Sequence, residues 1–291
     1  METLTIRSDD LEVALLPRAG ARLHRLRAFG VDLLRSPADP AVHEQDPFFW
    51  GAYVMAPWCN RLPTAPVRIG RRTVELAPNF PDGTAIHGQL VLAPWAVEGE
   101  GQLRVRGGGG GWPWIYEASL AVAVHGPRLR LELTLTNLAD EPMPAGLGLH
   151  PWFVEPLRLA IHADAVYPSN LDPPGPPQPV AGPFDLRRLG ELRPGLDAAW
   201  TSLTEPPVEL VWPEAGLRAT LATAGTARCI VAARLPSIPA VAVEPETHAP
   251  QGLHRLLEGL PDPLALLEPG DALRLVVEFE VVRADVARGA G

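Results

Sequence analysis

The chain has 291 residues, 46% of them hydrophobic, which is enough for a sizeable core and compatible with one large β domain or two smaller ones. Its formal charge is -9, and its 25 cationic side chains are all arginines scattered singly or in pairs, so no basic stripe exists for nucleic acid. The absence of lysine removes Schiff-base and P-loop chemistry, and two distant cysteines, Cys59 and Cys229, encode neither a disulfide scaffold nor a zinc ribbon.

Along the chain, Leu11, Val13 and Leu15 alternate as in a strand with one buried face. Residues 66–76 read as β structure broken at Gly70-Arg71-Arg72, and the five glycines Gly107 to Gly111 read as an irregular loop. Leu120, Val122 and Val124 lead through His125-Gly126-Pro127 into Arg128 to Thr136, where leucine stands at 129, 131, 133 and 135: a hairpin. Further strands are expected at 158–167, 208–212, 217–223, 228–235 and 273–281, with a stiff irregular stretch from Pro173 to Pro179 and one short helix around Gln251 to Gly259. The 34 prolines oppose long helices, so the class is all-β with few short helices. Strand patterning resumes beyond both irregular segments, which favours a single domain over 1–291. No export signal and no apolar run near the ~20 residues of a spanning helix is present, so a cytoplasmic protein without membrane partners is expected. Monomer and homodimer both remain open.

Several residues stand where a backbone can aim a side chain. Asn60 and Arg61 lie in a loop bracketed by Pro57 and Pro63, where a guanidinium can clamp hydroxyls or a carboxylate or simply serve the loop. His87 precedes Gly88, and His150 ends an apolar, glycine-rich run before Pro151, so both can be turned into a cleft. Glu244 follows Val241-Ala242-Val243 where Pro245 is expected to stop the ladder; partial burial would raise its pKa toward a base role, although a strand-end carboxylate paired with arginine fits as well. Asp197 reads as a loop aspartate. Trp58 and Trp152 lie beside these polar groups and suit stacking on a sugar face, as well as plain core packing. No close histidine pair signals a preformed metal site; a cupin-like centre would have to gather His87, His150 and Glu244 from distant segments.

In this order, Asn60-Arg61, His87-Gly88, Leu149-His150-Pro151-Trp152-Phe153, Leu196-Asp197 and Val243-Glu244-Pro245 resemble the aldose 1-epimerase, or galactose mutarotase, family over about residues 10–282. The resemblance implies a large antiparallel β-sandwich of the galactose mutarotase type and interconversion of sugar anomers without cofactor or metal. It implies Glu244 as general base at the anomeric hydroxyl and His150 as acid at the ring oxygen, with Arg61, His87, Asp197, Asn60 and Trp152 around the sugar. The implied partner is an aldose or a sugar phosphate; the family's hexose-6-phosphate mutarotases, with Arg71 or Arg72 as phosphate ligands, and a non-catalytic carbohydrate-binding protein on the same fold are the alternatives.

Overall fold

The computed structural model describes residues 1–169 and 174–284, and all strand pairs below are antiparallel. Neighbouring ladders follow one another from Ala96–Gly99 through Gln102–Gly109, Trp112–His125, Arg128–Asn137, Ala272–Arg283 and Leu217–Ala222 to Asp197–Trp212. There the sheet turns. The C-terminal half of Asp197–Trp212 pairs with Leu217–Ala222, while its N-terminal half pairs with Cys229–Ala233, and the ladder continues to Ala240–Glu246, Gly148–Val154 and Ala52–Met55. Arg22–Ala28, Leu11–Leu16 and Leu4–Arg7 close that side.

The result is one large curled antiparallel sheet whose two ends face each other across a core. Alternation explains the core directly, because successive side chains point to opposite faces. Leu129, Leu131, Val277 and Phe279 from one layer meet Leu23, Leu149, Phe153 and Pro245 from the other. The Phe153 and Phe279 rings stack at 5.7 Å. Each buried side chain of this size contributes about 1.5–3 kcal/mol by leaving water.

The hairpins expected at 66–76 and at Gly126 form, as Val67–Ile69 with Arg72–Val74 and Trp112–His125 with Arg128–Asn137. The short helix is Gly252–Glu258. Three expectations are corrected. Gly107 to Gly109 are strand residues, paired with Trp112–His125 through a bulge, and a Cβ on Gly107 would strike the Tyr116 ring at 2.2 Å. Glycine is there because an aromatic ring from the neighbouring strand crosses it, which alternation cannot reveal. Within the proline-rich stretch, Pro173 lies outside the described residues, and Gln178–Pro179 pairs with Ala165 and Val166. Finally, neither Pro151 nor Pro245 ends a strand: each sits in register, opposite Ala52 and Ile230. Both face the core, so their rings pack where an apolar side chain is needed. Among the described residues no helix is long and apolar enough to cross a membrane.

Candidate active site

The strands that send Leu149, Phe153, Val241 and Val243 into the core send His150, Trp152, Ala242, Glu244 and Glu246 to the opposite face. The register Gly148↔Glu246 and Trp152↔Ala242 sets His150 opposite Glu244, and Tyr53 pairs with His150 from the other side. One row further along, Trp152, Ala242, Ala233 and Asp197 stand side by side. Asp197 therefore opens a long strand and is not a loop residue. The sheet thus lays His150, Glu244, Trp152 and Asp197 out in two adjacent rows on one face.

Above that face is a pocket with about 490 Å³ of empty space, lined by His150, Glu244, Asp197, Trp152, His87, Asn60 and Arg61 together with Tyr53, Phe48, Phe49, Phe80, Ile86, Ala233 and Leu235. His150 Nε2 lies 3.2 Å from Glu244 Oε1, and both side chains are almost wholly buried. Nδ1 of His150 and Oε2 of Glu244 have no hydrogen-bond partner in the protein. Burial pushes His150 down to about 3. Burial also drives Glu244 well above the ordinary carboxyl range, with Glu246 and Asp197 adding like-charge repulsion. Each shift opposes charging that group alone beside a neutral partner, so the two are charged only together, across the 3.2 Å contact.

Asn60 and His87 hold each other. Both have positive φ, 55° and 60°; the Asn60 N–H donates to His87 Nδ1 at 3.2 Å, and the His87 N–H donates to the Asn60 carbonyl at 3.1 Å. Burial, followed by the charges of His150 and Arg61, holds His87 well below its usual pKa, so the ring is neutral with its proton on Nε2. The His87 and His150 rings meet edge to face at 5.1 Å. Gly88 follows with φ 79°, and a Cβ there would come within 2.0 Å of the Ala56 carbonyl, so the His87-Gly88 pair is a place where backbone crosses backbone.

Arg61 donates from Nε to Asp82 Oδ2 at 2.6 Å and lies over the Phe80 ring. Trp152 donates its indole N–H to the Phe48 carbonyl at 2.7 Å, leaving its ring as a wall against Phe49. Tyr53 stacks on His150 at 4.5 Å, with the buried Arg22 guanidinium 5.0 Å from the Tyr53 ring centre. Trp58 is elsewhere: it packs on Trp112 in the core and does not line the pocket. Arg72 is engaged by Glu141 and Asp140 on a separate part of the surface, shared with Arg71. No three His, Cys, Asp or Glu side chains among the described residues form a metal-binding group. Phe48, Phe49, Phe80, Tyr53 and Glu246 escape the sequence reading; only Glu246, alternating with Glu244 on one strand, carried a usable signal.

The fold recurs in solved structures. A candidate aldose 1-epimerase from Escherichia coli K12 is 21% identical, with 97% of this chain and 99% of that one covered at a TM-score of 0.83. An aldose epimerase homologue from C. elegans is 18% identical over 98% and 99%, TM-score 0.80. A galactose 1-epimerase from Lactobacillus acidophilus NCFM is 18% identical over 96% and 94%, TM-score 0.76. No curated protein matches the sequence. The aldose 1-epimerase family model matches residues 2–214. The chain belongs to the aldose 1-epimerase family.

Proposed function

We propose that the protein interconverts the α and β anomers of an uncharged aldose by opening and reclosing the sugar ring. The observation that carries this reading is the 3.2 Å contact between His150 Nε2 and Glu244 Oε1 on the pocket floor. In a cyclic aldose the anomeric hydroxyl oxygen and the ring oxygen share one carbon, C1. Two proton-transfer groups that touch each other suit two oxygens so placed.

In the ring-opening step Glu244 takes the proton of the anomeric hydroxyl, and the electron pair of that O–H forms the carbonyl at C1. The bond from C1 to the ring oxygen breaks, its electrons stay on that oxygen, and His150 protonates it. The aldehyde turns about the bond between C1 and C2. On reclosure the hydroxyl attacks the other face, His150 recovers its proton, and Glu244 returns one to the carbonyl oxygen. Each group serves once as acid and once as base. Protons and electrons balance within the sugar and these two side chains, so the scheme needs no redox cofactor.

Charge in the pocket favours an unphosphorylated substrate. Asp197 and Glu244 line it, and its one arginine, Arg61, is already paired with Asp82. A phosphate would meet carboxylates and a spoken-for guanidinium among aromatic rings. His87 Nε2–H, Asp197 and Arg61 supply donors and acceptors for hydroxyls, while Phe48, Trp152 and Phe80 cover the apolar faces of the ring.

The test is anomer exchange followed by NMR with freshly dissolved α-D-glucose and α-D-galactose and with their 6-phosphates. Faster equilibration of the free sugars than of the phosphates is the expected result. Faster exchange of the phosphates would reverse the substrate assignment. Calorimetric sugar binding with no acceleration would identify a non-catalytic carbohydrate-binding protein.

A further inference from the structure

Two residues beyond Glu244, on the same face of the same strand, Glu246 is completely buried. Its ladder neighbours are Gly148 on one side and Cys229 on the other. A Cβ on residue 148 would approach Met55 Cε to 2.6 Å, Cys59 Sγ to 2.7 Å and Glu246 Cγ to 3.3 Å. Glycine at 148 therefore leaves the space in which the Glu246 stem and its sulfur-bearing neighbours sit.

Neither oxygen of Glu246, nor Oε2 of Glu244, meets a hydrogen-bond donor; the two carboxyls meet each other. The titratable groups bearing on this spot are Glu244 from its own strand, Asp197, Cys59, Cys229 and Tyr53. His248, the next on this face, already accepts from the Cys59 N–H and contacts the Ala249 carbonyl through Nδ1. An ionised carboxylate with no donor and no counter-charge is costly in such surroundings, so the site favours the neutral acid, which owns one O–H donor. Geometry makes Glu244 the seat of the negative charge: His150 Nε2 faces its Oε1 at 3.2 Å, while no donor faces either oxygen of Glu246.

We propose that Glu246 is a positioning residue that carries the proton shared by the two carboxyls and donates its O–H to Glu244, holding that carboxylate toward the sugar. Its functional half rests on the ring-opening role of Glu244 argued above. Burial lifts both carboxyls well above their ordinary range, and two such groups titrate as a pair. Glu246 thereby lets the floor hold two carboxyls with one negative charge.

Infrared spectroscopy reads the proton directly, with no need for turnover. Near neutral pH a protonated-carboxyl band should persist in Glu244→Gln and disappear in Glu246→Gln; absence of the band in Glu244→Gln overturns the proposal whatever the protein does to sugars. Kinetics reads the positioning. Glu246→Leu, which fills the apolar space without a donor, should lower kcat about tenfold or more with KM little changed, the scale of a lost hydrogen bond to a charged group. Glu246→Gln, which restores a donor, should recover most of that loss. A Leu variant as active as the parent would show a packing role alone and overturn the assignment.

Discussion

The pair His150 and Glu244 is held together by register, stacking and burial, with few hydrogen bonds. Tyr53 lies flat against one face of the imidazole and Trp152 packs beside it at 5.1 Å, so the ring cannot swing away from the carboxylate. Such fixed geometry is what makes one proton-transfer group worth about 10²–10⁴ in rate. Replacing Glu244 by Gln keeps the shape and removes the proton acceptor. It should lower kcat by about that factor while sugar affinity, measured by calorimetry, stays near the parent value. Retained turnover would remove Glu244 from the mechanism.

At the scale of elements, the pocket depends on a few crossings that only glycine permits. At Gly88 the chain passes so close to Ala56 that the Gln89 N–H donates to the Ala56 carbonyl at 2.7 Å, and this crossing delivers His87 to the site. Gly88→Ala combines a positive φ with a Cβ inside a backbone carbonyl. Its expected outcome is a loss of roughly 2 kcal/mol or more in denaturant unfolding, with a rise in KM as His87 is displaced. An unchanged midpoint would mean that the crossing relaxes freely.

The same elements show what the sequence could carry. The strands around Leu131 and Val277 were legible because one of their faces meets the core and the other faces out, which writes an alternating code. Asp197 was illegible as a strand residue because Ala198, Ala199 and Trp200 after it are all buried, so no alternation marks the strand. Pro151 and Pro245 suggested strand ends because proline lacks a donor, yet their rings are part of the core packing. His150 and Glu244 could be picked out by their local settings, whereas Phe48, Phe49 and Phe80 could not. Those three lie outside strands and helices, in segments with no period, and only tertiary approach places them at the pocket.

Across the whole molecule, burial leaves several imidazoles uncharged. His43 is held down to about 3, His248 to about 4, His87 well below its ordinary value and His24 below it, burial being the first cause in each case, while the charge of His150 is tied to that of Glu244. Below their ordinary pKa of about 6.5 these histidines bind protons when the chain unfolds but not while it is folded. Stability therefore falls as pH falls, by at most about 1.4 kcal/mol per pH unit for each histidine inside its window. Glu244 and Glu246 act oppositely: their raised pKa values mean that the folded state keeps protons the unfolded state has lost, a cost present above about pH 4.5 that lessens on acidification. Four histidines outnumber two carboxyls. The calorimetric unfolding midpoint should accordingly drop between about pH 6.5 and about 4.5; a flat or rising midpoint would show that the carboxyl pair dominates.

The floor of the pocket is the reverse side of the hydrophobic core, while Phe48, Phe49, Phe80 and Leu235 hang over it from segments outside the sheet. Phe48, Phe49 and Leu235 pack on floor residues such as Tyr53 and Trp152, yet none of the four overhanging side chains belongs to the main core. Under the proposed reaction, the proton-transfer groups and the residues that meet the rest of the substrate sit on separate parts of the chain. On that reading, substitutions at those four loop side chains should change which sugar is accepted while the strands beneath keep the proton-transfer pair and the fold.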